Sequence, residues 1–146
     1  MYNKLNHLPV DLTGLNYNIT TDSLPWFLIS LLKKYQKVSY ICSNNKELYY
    51  LSENLRILLP EITIFELPSF DCPLFSNISP TVENKSIRIS ALTSVLSSNN
   101  KFSILLTTFD SLLLKTTPKT LLKDRFIEIN IQKDYSIEGI KKFIMN

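Results

Sequence analysis

Glycine is almost missing from this chain: two in 146 residues. A fold that wraps phosphate in a glycine-rich loop needs several in one place, because the backbone must curl with its N–H groups inward. Cysteine also numbers two. Cys42 and Cys72 are too few and too isolated for a disulfide framework or a metal site, and are expected to be reduced thiols. The single histidine, His7, lies in a polar stretch without a serine or cysteine partner nearby, so it reads as a surface residue. No apolar run approaches the roughly 18 to 20 residues of a membrane span, and no basic-then-apolar leader opens the chain. The expectation is a soluble, cytoplasmic protein. Neither sign of charge dominates: 16 Lys+Arg against 13 Asp+Glu leave +3, too dilute to imply nucleic acid or membrane binding by itself.

What remains is an ordinary globular composition, 45% hydrophobic and 20% charged. That excludes a disordered chain and suits one domain, or one domain with a piece of another. Met1 to Thr21 is polar and aperiodic. Asp22 or Ser23 then looks like a helix N-cap, with Pro25 inside the first turn, where its missing N–H costs nothing. Trp26, Phe27, Ile29, Leu31 and Leu32 make that helix apolar on most sides, which predicts burial. Lys33 and Lys34 suit the dipole of its last turn. Lys37 to Cys42 reads as a strand, followed by a turn signal at Ser43-Asn44-Asn45. The next helix carries Leu48, Leu51, Leu55 and Leu58 on one stripe and ends at Pro60.

Ile62 to Phe65 is predicted as a short strand, and a long proline- and aromatic-rich loop follows, closed by Ser79-Pro80. A loop of that length inside a small domain is uncommon without a purpose. The helix after it carries Arg88, Ala91, Leu92, Val95 and Leu96. Phe102 to Thr107 is a continuous apolar strand, and Thr108 caps a short helix with Leu112, Leu113 and Leu114 that breaks at Pro118. Phe126 to Ile131 suggests another strand, and Ser136 opens a last helix. Strands alternating with helices at this spacing predict an α/β layered fold with a largely parallel sheet. Its binding rim then lies at the strands' C-terminal ends, at Ser43 to Asn45, Glu66 to Pro80 and Thr107 to Asp110.

A nucleotide site of the P-loop type belongs just before the first helix, where the chain reads Gly14-Leu15-Asn16-Tyr17-Asn18-Ile19-Thr20-Thr21-Asp22. There is no Gly-Lys-Ser/Thr, Tyr17 and Ile19 fill space a phosphate needs, and Asp22 repels one. No cofactor or metal is expected. On the rim stand the carboxylates Asp71 and Asp110, which read as loop-capping and helix N-terminal groups. Arg88 is placed to hold loop carbonyls or Asp71, phosphate contact being the alternative. Phe70 and Phe75 either bury themselves to stabilise the loop or stay exposed to dock a partner.

The order of segments resembles the N-terminal end of the bacterial transcription-repair coupling factors, the Mfd family. The family's loop runs Phe-Pro-x-Trp-Asp-x-x-Pro-Tyr-Asp-x-x-Ser-Pro, and its following helix Arg-Leu-x-x-Leu. Here the loop reads Leu67-Pro68-Ser69-Phe70-Asp71-Cys72-Pro73-Leu74-Phe75-Ser76-Asn77-Ile78-Ser79-Pro80, at the same length, and the helix supplies Arg88-Ile89-Ser90-Ala91-Leu92. Ile104 to Leu114 and the Pro118-Lys119-Thr120-Leu121-Leu122 segment continue the likeness. The loop's second acidic position is Ser76, its Trp is Phe70, and its proline falls at Pro73, one residue early.

The resemblance implies a RecA-like, UvrB-related module that has lost its nucleotide lysine, a degenerate relative of the P-loop NTPases. It implies an arm over 1–21, the RecA-like domain over 22–118, and the incomplete start of a second UvrB-like domain over 119–146. For the whole family it implies an ATP-driven DNA translocase that displaces stalled RNA polymerase and recruits UvrA in nucleotide excision repair. Those activities belong to segments beyond this chain, which is expected to be a non-catalytic, monomeric structural or interaction fragment. Phe70, Asp71, Phe75 and Arg88 are its candidate interaction or loop-ordering residues. The alternatives are a stand-alone protein-binding domain, or a small unrelated α/β enzyme using Asp71, Asp110 and Arg88 together.

Overall fold

The computed structural model of the chain describes residues 18–73, 76–124 and 134–145. It divides into two compact units, Met1–Leu114 and Lys115–Asn146. The first is an α/β fold, a three-stranded parallel sheet flanked by helices.

Its first helix, α1, spans Leu24–Tyr35 with Pro25 in the opening turn. Leu24, Leu28 and Leu32, four residues apart, share one line and are buried with Pro25 and Ile29. Trp26 falls two positions from Leu24 and Leu28, which turns it to the far side, 36% exposed. Phe27 and Leu31 are partly buried against the same core, so of the apolar residues expected to be buried Trp26 is the exception. Ser23 takes the N-cap position without capping through its side chain; its hydroxyl instead donates back to the Thr20 carbonyl at 3.0 Å. Gln36 ends the helix at φ +66°, donating its N–H to the Leu32 carbonyl at 2.8 Å and accepting from Ser103 N–H at 3.0 Å. A non-glycine residue at positive φ is strained. Here it turns α1 directly into a strand.

That strand, β1, is Lys37–Cys42, and helix α2 is Asn45–Leu58. Asn44 caps α2 by accepting from Glu47 N–H at 2.9 Å, while the Glu47 carboxylate reaches back to Ser43 N–H at 2.7 Å. This reciprocal arrangement satisfies donors that a helix start leaves open. Leu48, Leu51 and Leu55 are wholly buried. Strand β2 runs over Thr63–Leu67, two residues beyond the expected Phe65. Helix α3 is Val82–Ser97, strand β3 is Ser103–Thr108 and the short α4 is Phe109–Leu113, capped by Thr108 as expected.

The strand order is β1-β3-β2, all parallel. Lys37 and Thr63 both lie opposite Ser103, and Tyr40 and Glu66 both lie opposite Leu106. Ile104, Leu106 and Cys42 join the α1 and α2 leucines in one core. Each such side chain contributes about 1.5–3 kcal/mol on burial. Phe65 and Leu105 alternate to the other face, where they line a small cavity with Val95 and Ser98.

In two helices burial does not follow polarity. Helix α3 buries Asn84, Arg88, Ala91 and Thr93, while Val95 is exposed. Leu112 and Leu113 of α4 are also exposed, and the residue α4 buries is Ser111. In the second unit, α5 is Lys119–Asp124 and α6 is Ile137–Ile144, the latter capped by Ser136, which accepts from Gly139 N–H at 3.1 Å. The strand expected over Phe126 to Ile131, most of the N-terminal arm, and Leu74 and Phe75 lie outside the described residues. Among the described residues no helix is long and apolar enough to cross a membrane, and both cysteines are free, Cys42 buried and Cys72 half-buried.

Candidate functional site

Because the three strands are parallel, Cys42, Leu67 and Thr108 all end at one rim. The long loop begins there, at Pro68, and its first turn is tied down by side chains from α2, α3 and β3. Thr107 Oγ1 donates to the Leu67 carbonyl at 3.1 Å, fixing the chain as it leaves β2. Pro68 is fully buried. Arg88, 4% exposed, donates through Nη1 to the Pro68 carbonyl and to Ser111 Oγ. Ser111 is held in turn by the Thr108 cap, whose Oγ1 accepts from Ser111 N–H at 3.2 Å.

Ser69 is gripped like a residue in a sheet. Asn45 accepts from Ser69 N–H at 2.9 Å and from its hydroxyl at 3.0 Å, and donates to its carbonyl at 3.2 Å. A primary amide presents one donor and one acceptor side by side, which is what a strand's backbone presents. Asn84 Nδ2 donates to the same carbonyl at 3.1 Å. Its Oδ1 is buried without a partner among the described residues.

Phe70 is half-buried, with its ring face 4.8 Å from the Arg88 guanidinium carbon. That geometry attracts the cation to the ring's negative face. Burial lowers the Arg88 pKa. Among the described residues no carboxylate pairs with it. Its charge is met by a carbonyl, a hydroxyl and a ring, which a planar fork of donors can engage together. Asp71 is exposed and accepts from Thr81 N–H at 3.2 and 3.4 Å through its two oxygens. Hydrogen bonding by Thr81, side chain first and backbone second, with the Lys85 charge a smaller cause, holds this carboxyl below its ordinary pKa. Thr81 also caps α3, accepting from Asn84 N–H at 3.3 Å. The loop's end is thus fastened to its beginning.

The sequence-predicted residues fare unequally. Arg88 holds a loop carbonyl and not Asp71. Phe70 and Arg88 are brought into contact, and Asp71 anchors the other end of the loop. Phe75 lies outside the described residues. Asp110 is exposed on α4, and among the described residues no hydrogen bond joins it to Asp71 or Arg88. Sequence reading placed Asn45, Thr107 and Ser111's neighbour Asp110 along the rim but gave the side chains of Asn45 and Thr107 no partner, and it missed Asn84 and Ser111. The available signal was polar side chains at positions in step with buried ones: Asn84 and Arg88 lie in line with Ala91 on α3.

Two further features flank the rim. Cys42, closing β1, has its thiol pushed up to about 12 by burial and, secondarily, by the Glu47 charge; it is an inert thiol at neutral pH. Tyr40 is likewise raised to about 12, by burial first and Glu47 second. Among the described residues no group of three His, Cys, Asp or Glu side chains is placed to hold a metal. No family, no curated protein and no solved structure matches this chain.

Proposed function

We propose that the chain is a catalytically silent α/β scaffold, the N-terminal RecA-like module of a cytoplasmic coupling factor of the Mfd type. Its work is to hold a shaped rim for neighbouring domains and partners of the repair and transcription machinery. The observation that carries this reading is the state of the α1 N-terminus, where a nucleotide's phosphates sit in an active relative of such folds. The N–H groups of Ser23 and Leu24 both donate to the Thr20 carbonyl, at 3.0 and 3.1 Å, and Pro25 has no N–H to offer. Asp22 stands beside them, with Tyr50 Oη donating to its carboxylate at 3.4 Å. Donors already spent and a negative charge in place disfavour an anion there.

The rim supports the same reading. Asn45, Asn84, Arg88 and Asp71 direct their polar atoms at the loop's own backbone, an arrangement suited to keeping a shape. Calorimetric titration with Mg·ATP is expected to give no saturable heat up to 1 mM, a ceiling well above the micromolar KM range of working nucleotide enzymes. Micromolar binding that shifts the amides of Thr20 to Asp22 would overturn the scaffold reading. Coding DNA beyond Asn146 is expected to continue with UvrB-like and then helicase motifs.

A further inference from the structure

Among the described residues β2 is an edge strand, and its outer side is the floor of an open groove. Thr63 N–H donates toward β3, to the Phe102 carbonyl at 3.5 Å. In a parallel ladder alternate residues bond to the same side, so Thr63, Phe65 and Leu67 face β3, and Ile64 and Glu66 face outward. Among the described residues nothing pairs with those outward N–H and C=O groups. Beside them lies a groove of about 520 Å³ lined by Thr63 to Glu66, by Arg56 of α2, and by Ser86, Ile87, Ser90, Ala91 and Ser94 of α3.

We propose that this groove takes an extended, uncharged peptide segment of a partner protein as a fourth strand on β2. Three features fix the class of occupant. Unpaired edge donors and acceptors with a space alongside are the requirement for strand addition. The groove's one pair of charges neutralises itself: Arg56 Nη2 lies 2.7 Å from Glu66 Oε1. That leaves no net charge to select an acidic or basic ligand. The α3 wall carries Ser86, Ser90 and Ser94, one turn apart, with Ile87 and Ala91 beside them; the serine hydroxyls can meet the polar atoms of an incoming strand, and Ile87 offers it an apolar contact.

The test uses the full chain, nitrogen-15 labelled, and an equimolar mixture of capped heptapeptides drawn from Ser, Thr, Ala and Val. Binding is expected to shift the Ile64 and Glu66 amides and to slow their hydrogen exchange at least tenfold. The same mixture methylated on alternate peptide nitrogens, which cannot complete a ladder, is expected to lose the effect. Ser90→Phe, at an exposed α3 position, fills the groove and is expected to weaken binding at least tenfold with its core amide spectrum unchanged. Ile64→Pro removes one outward donor and provides a second variant acting through the backbone. The proposal is overturned by unshifted Ile64 and Glu66 amides at 1 mM peptide, or by equal binding of the methylated mixture. It is also overturned if both amides are already protected in the free chain, which means a segment of this chain fills the groove. A dimer in sedimentation equilibrium that Ser90→Phe abolishes would replace the peptide with a second copy.

Discussion

One face of the sheet and its C-terminal rim are held by opposite kinds of force. On the face under α1 and α2, Leu28, Leu32, Leu48, Leu51, Leu55, Ile104 and Leu106 are packed at 0–1% exposure. Apolar packing of this kind is strong and nearly directionless. At the C-terminal rim the chain relies on Arg88, Asn45, Asn84 and Asp71, each aimed at named backbone atoms. A typical hydrogen bond adds only about 1 kcal/mol net, yet leaving a buried partner unsatisfied costs about 1–3. The core therefore sets how stable the unit is, and the rim sets which single shape the loop adopts. Damage to one should look different from damage to the other.

The largest effect belongs to the core. Leu51→Ala, at a wholly buried position, is expected to cost about 3 kcal/mol, within the 2–5 found for such truncations. The urea midpoint should fall for every probe in the first unit alike. Arg88→Ala is expected to cost about 2 kcal/mol, by leaving the Pro68 carbonyl and Ser111 Oγ without their donor. Its signature is local: Ser69 and Phe70 should change in NMR spectra while the leucine core keeps its shifts. Arg88→Lys should recover only part of the loss, because a point charge cannot span both acceptors and stack on Phe70.

Smaller changes sharpen the contrast. Gln36→Gly should raise stability by about 0.5–1 kcal/mol, since glycine adopts the positive φ found there without a Cβ penalty; a loss on chemical denaturation would contradict the strain. Asp71 should give the smallest signal, confined to acid. Its folded pKa lies below the unfolded value of about 3.9, so its contribution is complete above that value and is lost as pH falls through the folded pKa. The Thr81 amide shift should follow that loss in the wild type and stay flat in Asp71→Asn.

The same division explains what was legible in the sequence. Apolar periodicity on α2 pointed to Leu48, Leu51 and Leu55, and the helix–strand alternation to a parallel sheet, because non-directional packing leaves a regular trace. The caps at Asn44, Thr108 and Ser136 were readable for a similar reason: they are local. Burial on α3 and α4 was not legible, because there polarity and burial part company. Val95, Leu112 and Leu113 are apolar and exposed, whereas Arg88, Asn84 and Ser111 are polar and buried: Arg88 and Asn84 bond a loop distant in sequence, and Ser111 bonds Arg88. Asn45 was placed on the rim, but its bond was not, its partner Ser69 being 24 positions away. Trp26 was misjudged because even a helix buried on most sides keeps one line to solvent.

Native-state hydrogen exchange at Ser69, compared with Leu106 in the middle strand, tests most directly the claim that directed polar side chains fix the loop's shape. The account predicts a slowly exchanging Ser69 amide in the wild type that speeds up at least tenfold in Arg88→Ala, while Leu106 changes only by the loss in global stability. A Ser69 amide exchanging at the unprotected rate in the wild type, or speeding up in Arg88→Ala only as much as Leu106 does, would contradict it.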